Sequence, residues 1–229
     1  MMEQGTNLRK VVQVVLSVTV LLLLLLTGVR LLLTNAFVQT EYNMPYFPAD
    51  PYGMTKEQRQ TYAPLAMEFL LNGADVSFLG DQTFDDGTPL YNMRELAHMV
   101  DVQKLTEKFL NVWVGSITVF SALLAWAWLG KWMPEFKSML SKAGLVTIVA
   151  LGTLILLIAI SFDAVFVGFH RIFFSGDSWL FLYSDTLIRL FPERFWLDAF
   201  VLVGVFTFAG GLILWRVFRT KPVSLSSEE

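Results

Sequence analysis

Long charge-poor apolar blocks alternate along the chain with stretches rich in charge, proline and glycine. Residues 11–29 contain no charged side chain, and about 20 such residues suffice to cross roughly 30 Å of hydrocarbon as a helix. The run is longer than the apolar core of about 7–15 residues in a cleaved signal peptide, and it ends on Arg30 and three leucines rather than on small residues. It therefore predicts a retained span within residues 1–35, with Arg30 reaching back to the interface. Further blocks predict spans at 109–129, 143–162 and 199–215. Trp113, Trp126 and Trp128 in the second fit an interfacial belt.

The polar stretches carry local signals of their own. Residues 36–108 form the largest. Tyr42, Pro45, Tyr46, Pro48, Pro51, Tyr52 and Gly53 predict extended chain and turns. Thr55 with Gln58, and Asn92 with Glu95, are capping boxes that open two helices. Asn72-Gly73 ends the first, and Asp86-Gly87 marks a turn or small hairpin. The second helix meets no strong breaker and is predicted to run on into the 109–129 span. Residues 130–142 read as a short polar loop. Residues 163–198 are too polar to cross a bilayer and too aromatic for a free loop, so they are expected at the membrane surface or across the bundle mouth. Residues 216–229 read as a polar tail, disordered from Ser224 onward.

Charge decides the orientation. Arg9 and Lys10, then Lys131, Lys137 and Lys142, then Arg216, Arg219 and Lys221 fall on one side of a four-span chain. The positive-inside rule makes that side cytoplasmic. Both termini are then cytoplasmic, and residues 36–108 and 163–198 lie outside. The expected fold is an all-α membrane protein, four transmembrane helices with an extracytoplasmic, partly helical cap.

Composition narrows the chemistry. With 55 % apolar and 16 % charged residues and mean hydropathy +0.55, the chain is far from a soluble domain. It has no cysteine, which excludes disulfides, thiolate metal sites and a cysteine nucleophile. Its net charge of −3, without a basic stripe, argues against nucleic acid as a partner. The two histidines, His98 and His170, both fall near the extracytoplasmic interface. Asp101 lies three residues after His98 and would share its helix face, where it could orient the ring. Asp163 precedes His170 by two helical turns, about 10 Å of rise, too far for a direct hydrogen bond on an unbroken helix. It is expected to have a partner or to face water. Either histidine also fits an ordinary interfacial polar position. Two histidines and an aspartate fall short of a convincing catalytic zinc set, and no H-E-x-x-H occurs. No metal or other cofactor is expected.

The ordered motifs resemble a family. Leu96-Ala97-His98-Met99-Val100-Asp101-Val102 is followed by Phe162-Asp163-x-x-Phe166-x-x-Phe169-His170-x-x-Phe173-Phe174. Then come Trp179-x-Phe181 and Leu187-Ile188-x-Leu190-Phe191-Pro192-x-x-Phe195-Trp196. Together with the topology, this set resembles the bacterial lipoprotein intramolecular transacylases, four-span proteins of the cytoplasmic membrane. The resemblance implies an acyltransferase acting on diacylated lipoproteins among membrane phospholipid. The sn-2 acyl chain would move from glycerol to the α-amine of the lipid-modified cysteine, giving the lyso-form. It implies His98 and His170 as the essential pair; an imidazole titrates in the range this proton transfer needs, so His170 is expected as the acid/base shuttle and His98, oriented by Asp101, as the group that stabilises the oxyanion or positions substrate, with spacing leaving a swap open. Asp101, Asp163, Arg171, Trp179, Asp185 and Arg30 are candidates for orienting groups or binding substrate. The alternatives are another outer-leaflet lipid hydrolase or acyltransferase, a non-enzymatic assembly partner and, lastly, a transporter.

Overall fold

The computed structural model describes residues 2–219, with side chains from residue 7 onward. The predicted disorder from Ser224 and the cation Lys221 lie outside the described residues. Nine helices are present among them: α1 (Met2–Leu32), α2 (Asn35–Tyr42), α3 (Lys56–Asn72), α4 (Ser77–Gly80), α5 (Met93–Leu129), α6 (Met133–Ile160), α7 (Phe162–Phe173), α8 (Thr186–Leu190) and α9 (Glu193–Phe218). Four of these, α1, α5, α6 and α9, are long and apolar enough to cross a membrane.

The four long helices form the bundle. α6 packs along α9, and α1 lies against α5, α6 and α9. Small residues let α6 and α9 approach closely, as in other lipid-embedded helix pairs. A Cβ on Gly144 would sit 2.5 Å from the Gly211 carbonyl oxygen. Near the start of the bundle, Leu16, Val20, Phe136, Leu140 and Ala143 form one core. A second, larger core lies at the other end, where α2, α3, α4 and α8 cap the bundle around Val38, Tyr42, Phe69, Leu79, Leu90, Leu190 and Phe195.

α5 is continuous for 37 residues, about 55 Å of rise and well beyond the hydrocarbon thickness. Its first turns carry Arg94, Glu95, Asp101, Lys104, Glu107 and Lys108. That charge density places them outside the hydrocarbon, in the cap. Both predicted capping boxes form. The Thr55 side chain accepts from Gln58 N at 3.2 Å while Gln58 accepts from Thr55 N at 3.0 Å. Asn92 accepts from Glu95 N at 3.0 Å while Glu95 accepts from Asn92 N at 2.8 Å. Thr83 and Pro89 pair across the turn at Gly87, whose φ of 82° suits glycine.

The turns and extended chain predicted around Pro45 to Gly53 are present, preceded by a helix with no expectation attached to it: Thr34 caps α2, its hydroxyl accepting from Phe37 N at 3.3 Å. Two local expectations are corrected. Residues 130–142 are not a loop. Only 130–132 lie between helices, with Lys131 in a left-handed turn at φ 56°, and α6 starts at Met133. Pro134 is tolerated because it sits in the first turn. Phe136 and Leu140, four residues apart, are buried on one face of α6, while Lys137 and Lys142 stay exposed. The last long helix begins at Glu193, ahead of the apolar run, with Arg194 and Asp198 paired at 2.7 Å across one turn.

Candidate active site

α7 brings one histidine to the cap end. Ser161 breaks the helix from α6 in an extended conformation (φ −159°, ψ 98°), and its hydroxyl accepts from Ala164 N. From there Phe162, Val165, Phe166, Phe169, His170 and Phe173 recur at helical spacing and make one apolar face. His170 is near the end of that face. The His170 ring folds back one turn, its Nδ1 lying 2.8 Å from the Phe166 carbonyl oxygen. A carbonyl can only accept, so Nδ1 carries the proton and Nε2 keeps a free lone pair.

α5 brings the other. His98 is 7 % exposed, on the turn after the buried Glu95. The two imidazoles lie with ring centroids 6.1 Å apart and planes 24° from parallel. Phe174 touches both, at 4.9 Å from His98 and 5.5 Å from His170. Phe181 closes on His98 at 5.3 Å. Phe166 and Trp179 flank His170 at 4.2 and 4.9 Å.

These rings set the electrostatics. Burial removes water from His98 and, with the neighbouring His170, pushes its pKa down to about 4. Burial also lowers His170, with the Phe166 carbonyl opposing the shift. Burial thus favours the neutral form of both imidazoles. His98 Nδ1 is buried with no hydrogen-bond partner. An orphaned buried nitrogen is costly unless a ligand or water meets it.

The other predicted site residues divide. Trp179 is at the site, held by its own Nε1 donating to the Gly176 carbonyl at 3.1 Å. Asp185 works at a distance: it accepts from Leu182 N at 2.8 Å and from Asn92 Nδ2 at 3.2 Å, fastening the 174–185 loop to the start of α5. Asp101 is half-buried and forms no hydrogen bond with His98, whose ring is turned among the aromatics instead. Asp163, seven residues before His170 on the same helix, and Arg171, next to it in sequence, are both exposed, and neither forms a hydrogen bond with either ring. Arg30 donates to the Leu33 carbonyl at 3.4 Å, at the end of its own helix.

Sequence reasoning missed the clamp that holds the site together. Glu95, 1 % exposed, accepts from Asn92 N through Oε2 and from Leu187 N through Oε1, at 2.8 and 2.6 Å. Arg94 adds a bond to the Leu180 carbonyl at 3.2 Å. One turn of α5 thus fixes both ends of the segment carrying Phe181, next to the turn bearing His98. The capping box revealed Glu95, but only as a helix start. Among the described residues no three His, Asp or Glu side chains converge as metal ligands. The histidines line neither of two cavities found elsewhere, one of about 400 Å³ beside Phe84 and Arg189 and one of about 360 Å³ between α1 and α6.

Comparison with known proteins points one way. Residues 14–196 match the family model described as Lipoprotein intramolecular transacylase Lit. An uncharacterized protein of Aquifex aeolicus is 28 % identical over 208 residues, spanning 90 % of this chain and 93 % of its own. The in meso structure of the membrane-integral transacylase from Bacillus cereus superposes with a TM-score of 0.76 at 23 % identity, covering 93 % of this chain and 95 % of that one. Two structures of that protein with a histidine substituted give 0.69 and 0.65. At such identities the structural match speaks to the fold.

Proposed function

The chain belongs to the lipoprotein intramolecular transacylase family, a membrane-integral acyltransferase, and from that premise we propose that it moves the sn-2 acyl chain of a diacylglyceryl-cysteine onto the α-amine of the same cysteine. The observation that carries this reading is the pair of imidazoles, ring centroids 6.1 Å apart, enclosed by aromatic rings.

The chemistry follows from proton bookkeeping. An α-amine has a pKa of about 7.7–8.0 and must be neutral to attack an ester carbonyl. The new N–C bond creates a tetrahedral centre, the C–O bond to glycerol breaks, and the glycerol oxygen needs a proton. One imidazole can take the amine proton and return it to that oxygen, so the exchange of ester for amide and hydroxyl needs no other reagent. His170 suits the shuttle. Its Nδ1–H is committed to Phe166, leaving Nε2 as the base, and the same carbonyl keeps its pKa from falling as far as burial alone would take it. His98 stays uncharged throughout and suits holding the ester oxygen or the amine through a ring N–H. Nucleophile and ester belong to one substrate, so the protein mainly orients them and keeps water out.

On the positive-inside argument this site faces the extracytoplasmic side of a bacterial cytoplasmic membrane, with both termini cytoplasmic. Trp179 is the leading candidate for packing against substrate. Asp101, Asp163, Arg171 and Arg30, which do not reach the rings, are candidates for the path by which the lipoprotein enters. Asp185 is a positioning residue for the loop.

The test is purified protein with a synthetic diacylated lipopeptide, read by mass spectrometry. Transfer leaves the mass unchanged while one acyl group becomes an amide on nitrogen. Loss of an acyl mass would instead mean hydrolysis. His98→Ala and His170→Ala should each abolish conversion without altering thermal unfolding. Full conversion by both variants would refute the assignment.

A further inference from the structure

At the end of the bundle away from the histidines, α1 and α6 part to leave a groove of about 360 Å³, within the size range of small-ligand sites. Its walls come from two parallel stripes. Val14, Val18 and Leu21 recur at helical spacing on α1, and Lys142 and Val146 are four apart on α6. The wall is almost wholly apolar, and Lys142 is its one charged lining residue. Gln13 lines the same groove. Its amide is fixed by Nε2 donating to Ser17 Oγ at 3.1 Å and to the Met139 carbonyl at 3.2 Å. Its Oε1 is buried with no donor to meet it.

A ligand that satisfies all three features needs a hydrocarbon chain for the valines and Leu21, an anion for Lys142 and a hydrogen-bond donor for Gln13 Oε1, and in a groove lined by a lysine that donor is better a neutral hydroxyl than an ammonium. The order of these features along the helices fits a lipid. Gln13 lies two residues from the polar end of the α1 apolar run, beside Met139, and the apolar wall rises from there into the span. The site lies 18 residues, about 27 Å of helix, from the end of α6 that leads to His170, so it belongs to the opposite leaflet. We infer that this groove binds a single anionic phospholipid with a hydroxyl-bearing head, of the phosphatidylglycerol type. The inference rests on the chain's being membrane-integral and is independent of how the histidines act.

The experiment is native mass spectrometry of delipidated full-length protein in mild detergent. Phosphatidylglycerol, phosphatidylethanolamine and phosphatidylcholine are offered at equal concentration. The expected result is one phosphatidylglycerol retained per chain in preference to the other two. Lys142→Gln should lower its occupancy by about tenfold in affinity, for loss of a charge-assisted bond, and Gln13→Leu by about threefold, for loss of a neutral one. Lys137→Gln removes an exposed cation on the same helix that does not line the groove and should leave occupancy unchanged. Equal retention of all three lipids by the unsubstituted protein would overturn the inference without reference to any variant. So would an equal loss of binding in Lys137→Gln and Lys142→Gln, which would mean general attraction to a basic surface.

Discussion

Glu95→Ala tests whether the first turn of α5 holds the site in shape. The carboxylate receives two backbone N–H groups, from Asn92 and Leu187, at 2.8 and 2.6 Å in a position 1 % exposed. Alanine leaves both donors without an acceptor, at about 1–3 kcal/mol each. Part of that is offset, because burial disfavours the charged carboxylate and raises its pKa against the pull of the two backbone donors. A net loss of about 2–4 kcal/mol follows, or roughly 5–15 °C in thermal midpoint for a chain of this size. Glu95→Gln keeps one acceptor oxygen and should lose about half as much. Asp185→Ala is the internal comparison. It removes a 2.8 Å bond to Leu182 N and a 3.2 Å bond to Asn92, but at a partly exposed site, so water replaces the acceptor and the loss stays near about 1 kcal/mol. The assay is thermal unfolding in detergent beside lipopeptide conversion at a temperature where every variant is folded. Glu95→Ala should lose activity there as well, since Phe181 and the loop around it are no longer fixed over His98. A midpoint for Glu95→Ala within about 1 °C of the parent, with full conversion, would refute the clamp.

The remaining expectations use different parts of the molecule. Gly144→Ala places a Cβ 2.5 Å from the Gly211 oxygen and 2.8 Å from Trp215 N, both backbone atoms. α6 and α9 must separate, and a loss of about 1–3 kcal/mol is expected; Gly152→Ala, with nothing within 4 Å, should be neutral or stabilising, and equal behaviour of the two in thermal unfolding would count against the close approach. Burial, with the Asp198 carboxylate nearby, raises Glu41 from an ordinary 4.5 to about 7. The stability it contributes is complete below pH 4.5 and is lost as pH rises through 7, so Glu41→Gln should flatten the decline in melting temperature across that window, and an unchanged slope would contradict it. Because both imidazoles are depressed below 6.5, kcat/KM should show no limb at the ordinary histidine value and should rise with the substrate amine near about pH 8; a single limb centred near 6.5 would exclude the neutral pair.

The four long helices were legible because a charge-free run of about 20 residues has few other uses. The capping boxes at Thr55 and Asn92 were legible because each interaction closes within three residues. α2 was hidden because its cap, Thr34, sits directly against the end of an apolar run and looked like part of it. The start of α6 was hidden because Pro134 and three lysines read as loop, whereas proline in a first turn and lysines on an exposed face are both compatible with helix. Span counting could place His98 and His170 at one end of the bundle. Their ring-to-ring approach depends on the break at Ser161 and on the 174–185 loop folding back over α5, and neither has a local sequence signal. Asp101 shows the limit of helical spacing: three residues from His98, it shares the helix but not the ring's surroundings, because the imidazole is drawn into the aromatic pocket.

That pocket acts on the proposed chemistry in two opposing ways. Enclosure by Phe166, Phe174, Trp179 and Phe181 excludes water, the competing nucleophile that would release the acyl chain instead of transferring it. The same enclosure lowers the pKa of the histidines and so weakens them as bases, by about 1.4 kcal/mol per pKa unit. The shuttle uses one group twice, however. A base weakened on the way in is an acid strengthened by the same amount on the way out, when the glycerol oxygen must be protonated. Attack by an amine already tethered to its ester starts with effective molarities of about 10⁵–10⁸ M, so loss of base strength in the first half is tolerable. Collapse of the tetrahedral centre has no such help, since a neutral amine would otherwise leave more readily than an alkoxide. A depressed imidazole is therefore better matched to the harder half of the reaction, and a substitution that rewets the pocket, such as Phe174→Ala, should shift product from amide toward hydrolysed acid rather than merely slow the enzyme.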